Sequence, residues 1–274
     1  MVFRKNYIYF LVLVTITVWL SVFSIDDKLH IVVCDVGQGD AILIQKQTTQ
    51  ILIDSGPNSR VLDCLGRHMP FFDKTIELAI STHVDKDHSG GFPDVFRTYQ
   101  IDKFLTNSLD NPLYGTQTVE VLRKVAKNMI FPKKGMVIRI GMIYLDVLHP
   151  DSDFKSDKTN DYSITNTLRY GNFKAVFTGD LELNISERLF EEAKIGSVDY
   201  IKISHHGSKN GTSEKILDLL KPKTAVISVG KNSYGHPTKE VLDLLEKYNV
   251  KILRTDKVGD VVIKTDGNKI FSMY

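Results

Sequence analysis

The chain reads as an α/β protein whose β-sheets are covered by helices, preceded by one apolar N-terminal helix. Three observations predict this. The first half is rich in short β-branched runs, and the second half alternates strand-like and helix-like segments. Clusters of His and Asp fall where apolar runs end, which is where open α/β folds set their sites. An unbroken apolar stretch at residues 7–23 comes before all of this.

That stretch follows Arg4 and Lys5 and meets a polar segment at residues 24–28. A helix across a bilayer needs roughly 17–25 apolar residues, whereas a signal-peptide core needs about 7–15. Aromatics stand at both ends and no A-x-A cleavage site follows, so residues 1–28 read as a retained signal anchor. A removed signal peptide or a buried helix are the other readings. The positive flank precedes the stretch, which places residues 29–274 outside the cytoplasm as one domain of a single-pass membrane protein.

Within that domain, residues 29–34, 41–45 and 50–53 form the first strand-like runs, separated by a GQGD turn and a polar turn. Residues 76–80 make another apolar run. Residues 94–100 and 116–127 carry helical spacing. Strand-like runs return at 137–140, 143–148, 164–169 and 174–178. Thereafter 184–192, 213–220 and 238–247 read as helices, between extended runs at 198–203, 224–229, 250–254 and 261–264. No internal repeat is visible.

The 274 residues are enough to bury a large core, and 25% charged with 42% hydrophobic residues is ordinary for a globular protein. A formal net charge of +2 gives no global electrostatic argument for nucleic acid, so any such case must come from a local site. Two cysteines are too few for a disulfide framework. Cys34, inside the run IVVC, reads as a buried thiol, with a Cys34–Cys64 bridge as the alternative.

The strongest chemical signal is THVDKDHSGG, residues 82–91, directly after an apolar run. It gathers His83, Asp85, Asp87 and His88 within six residues. Imidazole and carboxylate donors suit zinc or manganese. Ionisable groups packed so closely need a compensating cation. Asp180, in VFTGD after another apolar run, is a second carboxylate at a strand end. Its bland reading is a helix cap. His205 and His206 in SHHGS, and His236 in YGHPT, also sit between strand-like and helical segments.

The 82–91 segment resembles the HxHxDH signature of the metallo-β-lactamase superfamily, with Asp85 where the second His usually stands. Together with DVGQGDA, FTGD, KISHHGS and YGHP it is similar to the metallo-β-lactamase-like domain of ComEC-type DNA-uptake channels and its stand-alone relatives. The resemblance covers about residue 29 to the C-terminus. It implies a four-layer αββα sandwich with two divalent metal ions, Zn or Mn, at one edge. His83 and Asp85 would bind the first ion, Asp87 and His88 the second, and Asp180 both. Where the first ion normally takes a third His, this branch carries an Asn/Ser stretch. Asn160 and Ser163 are therefore expected to line the site, with His149 a structural turn residue. His205 and His236 are equal candidates for the last ligand of the second ion. Adjacent His205 and His206 are not expected to share one ion, and one of the three histidines is left as general acid. Asp54 is expected to support a ligand His rather than bind metal.

The implied activity is metal-dependent hydrolysis of a phosphodiester by a metal-activated water, with extracellular DNA as substrate and DNA-uptake machinery as a possible partner. Two other readings stand beside it. One is a hydrolase of a small-molecule or cell-wall (phospho)ester, and the other is a non-catalytic, metal-stabilised binding module. The oligomeric state is not set by the sequence.

Overall fold

The computed structural model describes residues 2–23, 26–107, 109, 117–125 and 128–273. Helix α1 (Val2–Phe23) comes first. Then β1 (Leu29–Val33), β2 (Ile42–Lys46) and β3 (Thr49–Ile53) form an antiparallel meander. Helix α2 (Arg60–His68) leads to β4 (Thr75–Ile80). Two short helices, α3 (Lys86–Ser89) and α4 (Phe92–Thr98), lead on to β5 (Gln100–Leu105), and α5 (Gln117–Val125) to β6 (Met129–Ile130). Strands β3 to β6 are parallel neighbours.

The second half follows the same plan. Strands β7 (Val137–Ile140), β8 (Ile143–His149), β9 (Thr165–Tyr170) and β10 (Phe173–Phe177) are antiparallel. Helices α6 (Leu183–Ala193), α7 (Glu214–Leu220) and α8 (Lys239–Lys247) alternate with β11 (Tyr200–Lys202), β12 (Thr224–Ile227) and β13 (Lys251–Arg254), which run parallel beside β10. After a single turn, α9 (Thr255–Val258), the chain returns to the first sheet as β14 (Val261–Thr265) and β15 (Ile270–Met273). The halves thus share one architecture that the sequence does not display as a repeat.

Side-chain alternation explains the layering. Ile31 and Val33 of β1, with Ile51 and Ile53 of β3, face a central core against Leu145, Leu168, Phe177 and Tyr200 of the second sheet. Val32 and Leu52 face the other way, onto Leu65, Phe92, Val95 and Leu122 from α2, α4 and α5. On the far side, Val176, Ile201 and Ala225 meet Leu189, Phe190, Leu217 and Leu245 from α6, α7 and α8. Both faces are buried along the central strands of each sheet, such as β2, β3, β10, β11 and β12, so these read as near-continuous apolar runs. The result is four layers in the order αββα.

Several expectations need correction. Helix α4 ends at Thr98, and Gln100 already belongs to β5; Tyr99 is extended, with ψ 148°. The helix expected at 116–127 is α5, while 116 and 126–127 lie outside the described residues. Helix α2 escaped the reading because its apolar stripe is only Val61, Cys64 and Leu65. Cys34 is not a free thiol: it is bonded to Cys64, clamping the end of β1 to α2.

The spanning helix is also not supported. Among the described residues, no helix is long and apolar enough to cross a membrane. Helix α1 has 22 residues, but Arg4, Lys5 and Asn6 occupy its first turns. The apolar remainder spans about 25 Å, less than the roughly 30 Å hydrocarbon core. It does expose large apolar side chains, with Tyr9 70% and Trp19 60% accessible.

Candidate metal centre

The polar clusters converge where β4, β10, β11 and β12 end. After β4, Ser81–Val84 form a buried loop, and the short α3 then presents Asp87 and His88. After β10, Gly179 adopts φ +55° and a Cβ there would press on Ser163 and Thr82, so only glycine delivers Asp180 at this point. After β11, His205 and His206 both have positive φ, 51° and 53°, an uncommon backbone for histidine. This turns the two rings apart, with centroids at 6.4 Å and planes at 75°. His206 points into the buried site and His205 toward solvent.

One oxygen or nitrogen each from Asp87, His88, Asp180 and His206 lies within 4.8 Å of the others. His88 Nε2 is 3.2 Å from Asp180 Oδ2, and His206 Nε2 is 3.4 Å from that oxygen and 3.3 Å from Asp87 Oδ2. His83 and Asp85 stand alongside, Nε2 to Oδ2 at 3.7 Å, without entering the four-member group. The Thr159 hydroxyl donates to Asp85 Oδ2 at 3.0 Å.

Hydrogen bonds behind the rings fix which nitrogen faces the site. His88 Nδ1 donates to Asp54 Oδ2 at 2.8 Å, and His206 Nδ1 donates to the Ser228 carbonyl at 2.8 Å. Thr82 donates its backbone N–H and its hydroxyl to the same Asp54, each at 2.7 Å. The Thr82 hydroxyl is therefore left to accept from His83 Nδ1 at 3.1 Å. All three rings aim Nε2 inward, and none of these buried nitrogens has a hydrogen-bond partner. Unpartnered buried nitrogens beside carboxylates are the donor set a divalent cation satisfies, and the residues present fit one.

The charges agree. His88 and His206 would be driven neutral by burial, but Asp180 and its neighbouring carboxylates raise both well above the usual histidine range. Burial, helped by the nearby His88, pushes His83 down to about 3. Burial raises Asp54 and Asp85. It also works against ionisation of Asp87, which the nearby His206 and His88 rings nevertheless hold well below the usual carboxylate range.

A cleft of about 230 Å³ opens onto this group, lined by Asp85, Asp87, Asn160, Asp180, His205 and His236, among others. His205 and His236 face each other at its mouth with ring centroids 5.6 Å apart, and the Nδ1 atoms of both lack hydrogen-bond partners. The donor expected from His205 or His236 is instead His206, because the left-handed backbone at both histidines of the pair directs the second one inward. Ser163 does not line the cleft. It sits behind it, accepting from the Asp180 N–H at 3.0 Å. His149 is buried elsewhere and donates to the Asp161 carbonyl at 2.7 Å.

One feature was missed in the sequence. Lys202, in KISHHGS, is fully buried and pairs with both Asp40 and Asp180. Burial would raise Asp40, but the Lys202 ammonium beside it brings it down to about 2. A basic residue three positions before a His pair gives no hint of burial; only its place within an otherwise apolar strand could have. The GQGD turn, for its part, packs on the metal loop. Asp40 N–H donates to the Asp87 carbonyl at 3.0 Å, and a Cβ on Gly39 would collide with that carbonyl.

Comparisons with known proteins agree with this geometry. Residues 34–231 match the model of the metallo-beta-lactamase superfamily. ComE operon protein 3 of Bacillus subtilis (strain 168) is 28% identical over 262 residues, which cover 88% of this chain and 34% of that protein. Recombination protein 2 of Haemophilus influenzae is 28% identical over 232 residues, covering 83% of this chain and 28% of that protein. The chain thus spans about a third of the length of the curated relatives it matches. The metallo-beta-lactamase fold protein YhfI from Bacillus subtilis superposes with a TM-score of 0.62 at 13% identity, over 88% of this chain and 100% of its own. Tm1679, a metal-dependent hydrolase of the beta-lactamase superfamily, gives 0.57 at 17% identity, over 87% and 98%. These two likenesses speak for the fold, and the family match extends over most of the chain. The chain belongs to the metallo-beta-lactamase superfamily.

Proposed function

We propose that this chain is a metal-dependent phosphodiesterase that cleaves DNA outside the cytoplasm, in competence-related DNA handling. The observation that carries the reading is the pairing of two kinds of group in one cleft. Asp87, His88, Asp180 and His206 form a closed donor set, while His205 and His236 stand at the mouth with unbonded nitrogens. Zinc or manganese suits such mixed nitrogen and oxygen donors. Bound there, the metal would supply Lewis-acid polarisation of a phosphoryl oxygen and an activated water.

The protein's own groups then have distinct tasks. Asp54, Thr82 and the Ser228 carbonyl hold the ligand rings in one tautomer. Ser163 fixes the backbone of Asp180. Asn160 offers an amide to a substrate oxygen. His205 or His236 hands a proton to the leaving alkoxide. The relatives' names, ComE operon protein 3 and Competence protein ComA, support DNA as substrate and DNA-uptake machinery as partner. The Cys34–Cys64 disulfide supports an oxidising, extracytoplasmic compartment. Helix α1, with its exposed apolar residues after Arg4 and Lys5, would hold the domain at the membrane.

The test uses the full chain, stripped of metal and resupplied with manganese or zinc, on end-labelled single- and double-stranded DNA. Cleavage that needs metal and disappears in Asp87→Asn is expected. Intact DNA with metal bound would refute the nuclease reading. If a bis-aryl phosphate were still hydrolysed, the chain would remain a hydrolase with a different substrate.

A further inference from the structure

Tyr234 is 73% exposed, yet it belongs to the lining of the metal cleft. An exposed tyrosine on a loose loop would mean little. This loop, between β12 and α8, is knitted together by one side chain. Asn232 Oδ1 accepts from the N–H groups of Tyr234 at 3.1 Å and His236 at 3.0 Å. Its Nδ2 donates to the carbonyls of Gly230 at 2.9 Å and His236 at 2.8 Å. The Gly230 N–H in turn donates to Gln38 Oε1 at 3.3 Å, tying the loop to the GQGD turn. Two sequence motifs that the donor set does not use are thereby joined, and their joint effect is to hold an aromatic ring out over the cleft.

The ring gains little from the fold. Its nearest aromatic neighbour is His236, with centroids 5.8 Å apart and planes 34° from parallel. Apart from histidines, it is the only aromatic lining the cleft among the described residues. A large ring carried into water by a loop whose backbone one asparagine holds with four hydrogen bonds is partly preorganised for a flat ligand, because the loop's ordering cost is met before binding.

The surroundings fit a polyanion. Lys86 lies between Asp85 and Asp87, and Lys158 precedes the Thr159 that bonds Asp85. Lys209 follows the His206 turn and Lys231 follows Gly230. All four are exposed, and none is ion-paired among the described residues. Four exposed lysines within three residues in sequence of groups that form or line the site, with one exposed ring lining the cleft, supply the two elements by which proteins hold single strands. A base inside a duplex has no free face to offer the ring.

We propose that Tyr234 is a stacking platform for an unpaired base, making the cleft selective for single-stranded nucleic acid. This rests on the phosphodiesterase reading above and names the form of its substrate. A cell-wall phosphoester would present phosphate and sugar but no base, so the two substrate classes separate at this residue.

The experiment measures binding by fluorescence anisotropy with the full chain in calcium, strand integrity being checked on a gel after each titration. The probes are fluorescein-labelled oligo(dT) of about 12 nucleotides, an abasic strand of equal length and charge, and the corresponding blunt duplex. Wild type is expected to bind oligo(dT) about tenfold or more tighter than the abasic strand. Tyr234→Phe should retain that preference, and Tyr234→Ala should lose it while melting at the wild-type temperature. Equal affinity of wild type for the base-bearing and abasic strands overturns the proposal. So does a Tyr234→Ala variant that keeps the preference, or tighter binding of the duplex. Cleavage in manganese is read separately. A chain that cleaves DNA without base preference loses only the stacking role, and one that prefers bases but cleaves nothing loses only the nuclease reading.

Discussion

Lys202 Nζ lies 3.4 Å from Asp180 Oδ1 while the other carboxylate oxygen, Oδ2, faces His88 and His206. The same ammonium pairs with Asp40 and donates to the Gly179 carbonyl at 3.1 Å. A buried cation thus holds one side of Asp180, leaving a single oxygen for the donor group. Removing one partner from a buried ion pair strands the rest, at a cost of about 3–5 kcal/mol. Lys202→Met should therefore lower stability in urea unfolding by roughly that amount in the presence of chelator. Divalent metal should reduce the deficit, because it compensates the same carboxylates. An unchanged midpoint in chelator would show that Lys202 carries no such load.

Asp54 supports two rings of the site, His88 directly and His83 through the Thr82 hydroxyl. Groups that orient metal-binding histidines are worth about 10–100-fold in metal affinity. Asp54→Asn removes the negative acceptor and should weaken binding by a factor in that range, measured by competition with a chromophoric chelator. Full affinity in this variant would mean that His88 is held by packing alone.

Metal uptake should expel protons. Burial opposes charge on His88 and His206, but the carboxylates around them raise both well above the usual histidine range, so without metal the rings hold protons more tightly than free histidine does. Only deprotonated rings can ligate. Protons should therefore be released when a cation binds at this group near pH 7, and affinity should rise with pH. Calorimetry in two buffers of different ionisation enthalpy reads the number directly. Identical heats in both buffers would contradict the charge arrangement described here.

The Cys34–Cys64 bridge closes a loop with a sequence separation of 30 between the first strand and the first helix of the domain. A loop of this length predicts roughly 3.6 kcal/mol of stabilisation from restricting the unfolded chain. Cys34→Ala with Cys64→Ala should lose about that much in urea unfolding. Both sulfurs are fully buried, so reducing agent should act on the native protein only through its unfolding.

Much of the site was legible because its parts are local. His83, Asp85, Asp87 and His88 occupy a single loop after one apolar strand, and an Asp after another strand was enough to single out Asp180. The layering was legible as well. Strands buried on both faces leave apolar runs, and the helices of the second half carry apolar stripes with capping residues, as at Ser213 and Thr238. The remainder depended on groups brought together from distant segments. Nothing local distinguishes His205 from His206; their left-handed backbone decides which ring turns inward. Lys202 reads as a surface base until the sheet places it between Asp40, from the first half, and Asp180, from the second. The same holds for Cys34 finding Cys64 and for Asn232 holding Tyr234 over the cleft. Residue types, which a sequence states outright, determined the donor chemistry. The charge partner of each donor, its tautomer and its direction were decided by tertiary packing, because a buried polar group takes whatever partner the fold brings within hydrogen-bond reach.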